Sequence, residues 1–509
     1  MKATINQRLA RRKRRIQRRL DKKNLAGCAR PIMTATNIHY ELADRTQGLV
    51  YGGLGALHLL AQKLGLVQAI DERLHLLKFH FPYHESDHVL TLAYNALCDG
   101  TCLQDLERCR TDEVFLNALG ARRLPDPTTA GDFCRRFERE SIFTLLDVFD
   151  ETRLTVWAQQ PDCFFDRAIV DMDGTLVETT GACKEGMDIA YNGTWGYHPL
   201  VLSLANTGEV LSLVNRSGNR PSSDGAAEQV DRVLAVCWKG GFRKVLLRGD
   251  TDFSQTEHLD RWTDDPRVRF LFGYDARPNV KEEAENLPER AWKPLTRAPR
   301  YTVKTQPRER PDNVKEAIVV AREYQNQRLQ AEHVAEFPYR PGACQKTYRM
   351  IVVRKNLSVS KGEQVLFDEV RYFFYLTNEL LPEPEEIVPE ANDRGNQENL
   401  LAQLHGGVRA LKAPVNTLES NWAYMVMTSL AWNLKAWWAL SLPEPPGRWR
   451  ARYQEQKHWL LTVEFKTFVS ALVRLPCQLV RTGRKLVYRL LSWNKHQELL
   501  FRLLGVLRC

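Results

Sequence analysis

The spacing of apolar positions changes several times along the chain. Residues 5–23 are almost wholly polar, with Leu9, Ile16 and Leu20 set among Arg and Lys. Residues 50–160 then return apolar side chains at helical spacing. Gly52-Gly53 opens this region, and Leu54, Leu57, Leu60, Leu64 and Leu66 follow. Ser86-Asp87-His88 offers a cap for a helix running through Leu90, Leu92 and Leu97. Asp99-Gly100 breaks that helix, and Leu103, Leu106 and Cys109 begin another. The phrase PDPTTAGDF at 125–133 reads as a turn running into a capped helix. Short helices with tight turns suit a DNA-reading helix-turn-helix module or a plain bundle, and the pattern leaves both open.

From 165 to 275 the pattern becomes that of strands. Residues 169–177 are an apolar run interrupted by Asp171 and Asp173 and followed by Gly174 and Thr175. Apolar stretches at 197–205 and 210–215 flank Asn206-Thr207-Gly208-Glu209, which predicts a hairpin. Ser222-Ser223-Asp224 offers a cap for a helix with Val230, Val233, Leu234 and Cys237 on one face, and Gly240-Gly241 ends it. Residues 244–250 form a buried strand that delivers Asp250 at its end. The order is strand, strand, strand, helix, strand. That is an antiparallel meander followed by a crossover, with ligands expected at the strand ends.

Residues 276–364 are richer in Pro, Arg and Glu, with strand-like runs at 301–304 and 348–354, and read as a β-rich insertion. A strongly apolar strand at 370–376 resumes the core. Residues 382–440 open on a Pro/Glu-rich loop and turn helical, with Arg394 and Glu398 four apart on one face. Residues 418–440 are strongly apolar and carry Trp422, Trp432, Trp437 and Trp438, expected in the core. A basic amphipathic segment, 441–509, closes the chain. The expected division is a basic arm (1–30), a helical, DNA-binding domain (31–160), a first core segment (161–275), the insertion (276–364), a second core segment (365–440) and a basic helical tail (441–509).

Charge sharpens this picture. Residues 1–23 carry eleven Lys/Arg against the single acid Asp21, and residues 441–509 carry thirteen against four. The whole chain is only +10, so the middle is net acidic. Two basic ends around an acidic centre suit a polyanion binder whose arms hold a backbone while an acidic site holds metal. In the arm, Arg11, Arg12, Lys13, Arg14, Arg15, Arg18 and Arg19 are the candidate phosphate contacts. As free peptide the arm would fray, because like charges four apart repel. No apolar run approaches the roughly 20 residues of a membrane span. The basic N-terminus has no apolar core behind it and does not read as a secretory signal. Eleven scattered cysteines form no CxxC pair, which fits a reducing cytoplasm.

Asp171 and Asp173 lie two apart on a strand, hence on one face. Adjacent carboxylates repel unless a cation sits with them, and a divalent metal is the usual one. Alone, the DMDGTL phrase resembles the nucleophile motif of haloacid-dehalogenase phosphatases, with Asp171 as nucleophile and Asp173 as acid/base. The wider pattern is different. PDPTTAGDF (125–133), DMDGT (171–175), GYHPL (196–200), SGN (217–219), LLRGDTDF (246–253), NDRGNQEN (392–399) and SNWAYMVMTSLAWNLKAW (420–437) together resemble a DDE insertion-sequence transposase of the IS1380 type, within the IS4-like group.

That resemblance implies an α/β fold: an RNase H-like catalytic core with a mixed sheet, interrupted by a β-rich insertion, with a helical domain before it and a helical basic tail after it. It implies a catalytic triad of Asp173, Asp250 and Glu398, with Asp171 as a neighbouring metal ligand. Arg248 and Arg394 match family arginines and are candidates for phosphate contact. Ala391 stands where the family has tyrosine, and His405 where a lysine is often found; both bear on how phosphate is gripped. Two Mg²⁺ ions, with Mn²⁺ as a substitute, are the implied cofactors. The implied partners are double-stranded DNA, as transposon ends and target, and a second copy of the chain in the DNA complex. No membrane is involved, and the implied location is the bacterial cytoplasm, at the nucleoid. A relative that binds DNA without cutting it is the alternative.

Overall fold

The computed structural model describes residues 2–20, 39, 46–181, 183–297, 325–361, 364–483 and 485–507. The chain divides into two compact units. One comprises Trp157–His405 and Leu411–Trp422, the other residues 1–156, 406–410 and 423–509.

The first unit is built on a nine-stranded mixed sheet. Strand β1 (Ala168–Gly174) pairs antiparallel with β2 (Leu200–Leu204), which forms a hairpin with β3 (Glu209–Val214). The expected Asn/Gly turn closes it: Gly208 has φ +73°, and the Asn206 side chain accepts from the Ile169 amide at 2.8 Å. Every residue of β2 and β3 is buried, which explains their unbroken apolar runs. Helix α1 (Ala226–Gly240) follows, then β4 (Val245–Gly249), parallel to β1, and β5 (Val268–Tyr274), parallel to β4. The order β3-β2-β1-β4-β5, with only β2 running opposite to its neighbours β1 and β3, is that of an RNase H-like core.

Helix α1 ends as expected, at Gly241 with φ +96°, where a side chain would be strained. Its start differs. Gly225 in the left-handed region occupies the cap position, and Ser222-Ser223-Asp224 lies before it. The stretch 197–205 also differs, because Pro199 cannot donate to a ladder. Trp195–Tyr197 instead joins Val177–Glu178 and Asp188–Ile189 in a small separate sheet.

After β5 the chain adds β6 (Lys293–Pro294), β7 (Gln325–Tyr339), β8 (Tyr348–Lys361) and β9 (Gln364–Thr377). The long meander β7-β8-β9 continues the same sheet, since β9 pairs antiparallel with β5. Residues 370–376, read from sequence as the core resuming, are thus the last strand of that meander. The strand-like run at 301–304 lies outside the described residues. Helix α2 (Pro384–Asn392) packs Ile387 and Val388 into a cluster with Leu246, Val334, Ile351 and Val353, and α3 (Gly395–Ala402) follows.

The second unit is mainly helical. Its helices include Leu54–Lys63, Glu85–Leu97, Pro127–Cys134 and Arg450–Thr462. Ser86 is not a cap here. His84 holds that position, its amide donating to Asp87 at 2.9 Å. Asp126 caps the helix after 125–126 as expected. Trp432, Trp437 and Trp438 are buried, with Trp438 edge-on to Phe468. Trp422, assigned to the other unit, is buried as well. The basic tail is not all helix: Cys477–Thr482 and Lys485–Leu490 form a hairpin that pairs with Gly48–Leu49. Within the chain the arm is helical over Lys2–Leu20, and Arg12 donates to the carbonyls of Leu490 and Ser492 at 2.7 and 3.2 Å.

Candidate active site

Strand β1 delivers both of its aspartates, but they differ in environment. In the register, Asp171 lies opposite Arg248 of β4. Arg248 donates through Nε to Asp171 Oδ1 at 2.7 Å and through Nη2 to Oδ2 at 2.8 Å. Its Nη1 donates to the Glu390 carbonyl at 2.8 Å, joining β1, β4 and the end of α2. Asp171 and Arg248 are only 1% and 4% exposed. Asp171 was expected as a metal ligand and Arg248 as a phosphate contact; each is instead committed to the other. The phosphatase reading needs Asp171 free as nucleophile, and here both its oxygens accept from Arg248.

Asp173 lies two residues further along, beside Val201. One oxygen, Oδ2, meets Arg394 Nη1 at 3.3 Å. Asp250 follows β4 directly and caps a short turn, accepting from the Asp252 amide at 3.0 Å. The turn is anchored by buried Phe253. It also needs Gly273 of β5, where a Cβ would come within 2.9 Å of the Thr251 amide nitrogen.

Glu398 sits in the first turn of α3, and Arg394 is the residue before that helix. Buried Gln397 fixes the helix on the hairpin: it accepts from the Ser203 hydroxyl and donates to the Val201 carbonyl at 3.1 Å. After α3 the helix widens into a π-type turn, Gln403–Gly407, a feature often found at functional sites. There His405 Nε2 lies 2.9 Å from Thr175 Oγ1, so the end of β1 is tied to the segment that follows Glu398.

Burial is the main cause raising the Asp173 carboxyl, pushed up to about 6. Arg394 opposes it, and Asp250 and Glu398 add repulsion. Burial also pushes Asp250 up, against Arg394. Asp250, Arg394 and Glu398 line a cavity of about 450 Å³, with Tyr274, Tyr372 and Tyr375 on its walls. Among the described residues, no three His, Cys, Asp or Glu side chains stand close enough, as placed, to grip a metal ion. Asp173, Asp250 and Glu398 are carboxylates, the hard oxygen groups that suit Mg²⁺, and Arg394 meets Asp173.

Of the arm residues, Arg11, Lys13, Arg14, Arg15 and Arg18 are exposed and Arg12 is half-buried; the Arg19 side chain lies outside the described residues. Sequence reasoning missed Gln397, Thr175 and the tyrosines. Ala391 and Tyr375 line the same cavity, and the Tyr375 hydroxyl donates to Asn392 Oδ1 at 3.5 Å, so the meander supplies a phenol next to the position where the helix lacks one. The run of four aromatics at 372–375 was the available signal. Among the described residues, no helix is long and apolar enough to cross a membrane.

The model of a family described as "Transposase DDE domain group 1" matches residues 50–508. No curated protein matches the chain. Eight solved chains do. One is from the cryo-EM structure of a piggyBac transposase synaptic complex with hairpin DNA. It is 12% identical over 83% of this chain and 84% of that one, with a TM-score of 0.37. That likeness is too loose to carry an argument about the site.

Proposed function

This chain belongs to the DDE transposase family, group 1, and from that premise we propose that it binds the terminal inverted repeats of its own insertion sequence, cleaves the DNA ends and joins the freed 3′-OH to target DNA. The observation that carries the reading is that Asp250, Glu398 and Arg394 line one cavity while Arg394 reaches Asp173 Oδ2 at 3.3 Å. The three acids come from a strand end, the turn after the neighbouring strand, and a helix pinned to the hairpin. The IS1380 type, within the IS4-like group, is part of the proposal.

Asp173, Asp250 and Glu398 would hold two divalent ions, Mg²⁺ or in its place Mn²⁺, which when bound supply Lewis-acid stabilisation of charge on the attacked phosphate. Asp171 and Arg248 act from behind, holding β1 against β4 so that Asp173 and Asp250 emerge side by side. Arg394, now on Asp173, is placed to turn to a DNA phosphate when the acids are neutralised. Water is the first nucleophile and the 3′-OH the second, so no covalent bond between protein and DNA is needed. Exposed arm cations hold the flanking backbone. Two ends must be joined, so the working complex contains two copies of the chain, at the DNA of a bacterial cytoplasm.

The test separates binding from cutting. Glu398→Gln keeps the size and packing of the side chain and removes its charge. The variant is expected to bind a terminal-repeat duplex as wild type does and to lose cleavage by about a thousandfold, the scale of a lost essential electrostatic group. Normal cleavage by that variant in Mg²⁺ would refute the assignment of Glu398.

A further inference from the structure

Far from the triad in sequence, the loop 77–84 of the helical unit presents Phe79 and Phe81 to solvent, 81% and 83% exposed. The rings border a cavity of about 490 Å³, around which stand Lys78, Arg123 and Arg136. The Arg123 guanidinium lies over the Phe81 ring, 5.9 Å from its centroid. None of these three cations pairs with a carboxylate among the described residues. The one acid on the cavity wall, Asp126, is occupied: its Oδ1 accepts from the Thr129 amide and its Oδ2 from the Thr129 hydroxyl.

The loop is held in place. The Leu76 and Leu77 amides both donate to buried Glu85 Oε1 at 2.9 Å, and the Tyr83 hydroxyl donates to the Leu124 carbonyl at 2.9 Å. The His80 and His84 rings stack at 4.6 Å. Two exposed phenyl rings on an anchored loop, rimmed by cations without carboxylate partners, have the make-up of a site for a planar, anionic polymer.

We propose that this loop is a DNA-contacting wedge, with Phe79 and Phe81 stacking on unpaired or splayed bases while Lys78, Arg123 and Arg136 hold the adjoining phosphates. The proposal rests on the transposase reading and adds to it a second DNA site, one that senses distortion. Stacking accepts any base, so the loop contributes a preference for unpaired DNA rather than for a sequence.

The test uses the full chain and two fluorescein-labelled duplexes of about 30 base pairs. One is fully paired. The other carries a short central mispaired tract that includes 2-aminopurine. Wild type is expected to bind the mispaired duplex about tenfold tighter or more, the scale of one stacked base, and to quench the 2-aminopurine. Phe79→Ala/Phe81→Ala should lose both effects and keep its affinity for the paired duplex. Phe79→Tyr/Phe81→Tyr, which keeps the rings, should retain them. An alanine variant with undiminished preference overturns the wedge. So does a variant that changes only the self-association of the protein. Wild type that binds both duplexes equally sinks the wedge and leaves the transposase reading standing; wild type that binds neither sinks both.

Discussion

At the scale of single residues, the site turns on which carboxylate of β1 is left open. Asp171 and Asp173 are equivalent in the sequence pattern. Arg248, on the neighbouring strand, makes them different by taking both oxygens of Asp171. That pairing depends on the register of β1 against β4, which spacing along the chain does not encode. Asp250 and Glu398 each stand in a short phrase with its own arginine, which is why the sequence singles them out. The contact of Thr175 with His405 was not, since it closes a gap of 230 residues. It predicts that His405→Ala lowers DNA cleavage about 10- to 100-fold, as loss of supporting partners typically does, with binding to a terminal duplex unchanged. His405→Asn, which keeps a hydrogen-bonding group, should recover part of the rate. Wild-type cleavage by the alanine variant would mean the contact is only packing.

At the scale of elements, apolar period was a good guide wherever burial is two-sided or striped, as in β2, β3 and Leu418–Leu440. It was a poor guide where turn chemistry decides. Ser222-Ser223-Asp224 has the composition of a cap, yet Gly225 starts the helix. The tail hairpin was hidden by its basic residues, although Gly483, at φ +57°, marks the turn. Leu418–Leu440 also buries a charge. Lys435 is 1% exposed, donates to the Leu461 carbonyl at 2.8 Å and lies over the Trp432 ring at 4.0 Å. Burial pushes its ammonium down to about 7 from the ordinary 10.5. Between those two values the unfolded chain holds a proton that the folded chain has released, so this group makes stability rise with pH across that window. Below about 7 both states are charged and the full cost remains. Lys435→Met keeps the apolar stem and removes the charge. It should be more stable than wild type at pH 6, by about 2 kcal/mol after loss of the carbonyl and ring interactions. The gain should shrink as pH approaches 10. Thermal melts across pH check this, and a difference that does not vary with pH would contradict it.

At the scale of the whole molecule, charge is distributed for a polyanion. The basic arm is helical over Lys2–Leu20 with most of its described cations exposed, and Asp173 and Asp250 stand at strand ends of the RNase H-like sheet. Changing Arg11, Lys13, Arg14 and Arg15 together to Gln should leave cleavage chemistry intact. It should make the dependence of log affinity on log salt shallower by about 3 to 4, near 0.9 for each phosphate that the arm no longer neutralises. An unchanged slope would take the arm off the DNA. The order of the core elements was legible; the division into units was less so, because residues far apart in sequence pack into one helical body and the meander merges with the core sheet. The central claim is that Asp173, Asp250 and Glu398 cut DNA. The most direct measurement is cleavage of a labelled duplex carrying the element's terminal sequence, with Mg²⁺, by wild type and by Asp250→Ala. Nicking at the element's end is expected to need the metal and to disappear in the variant. Equal cleavage by the two proteins would contradict that claim.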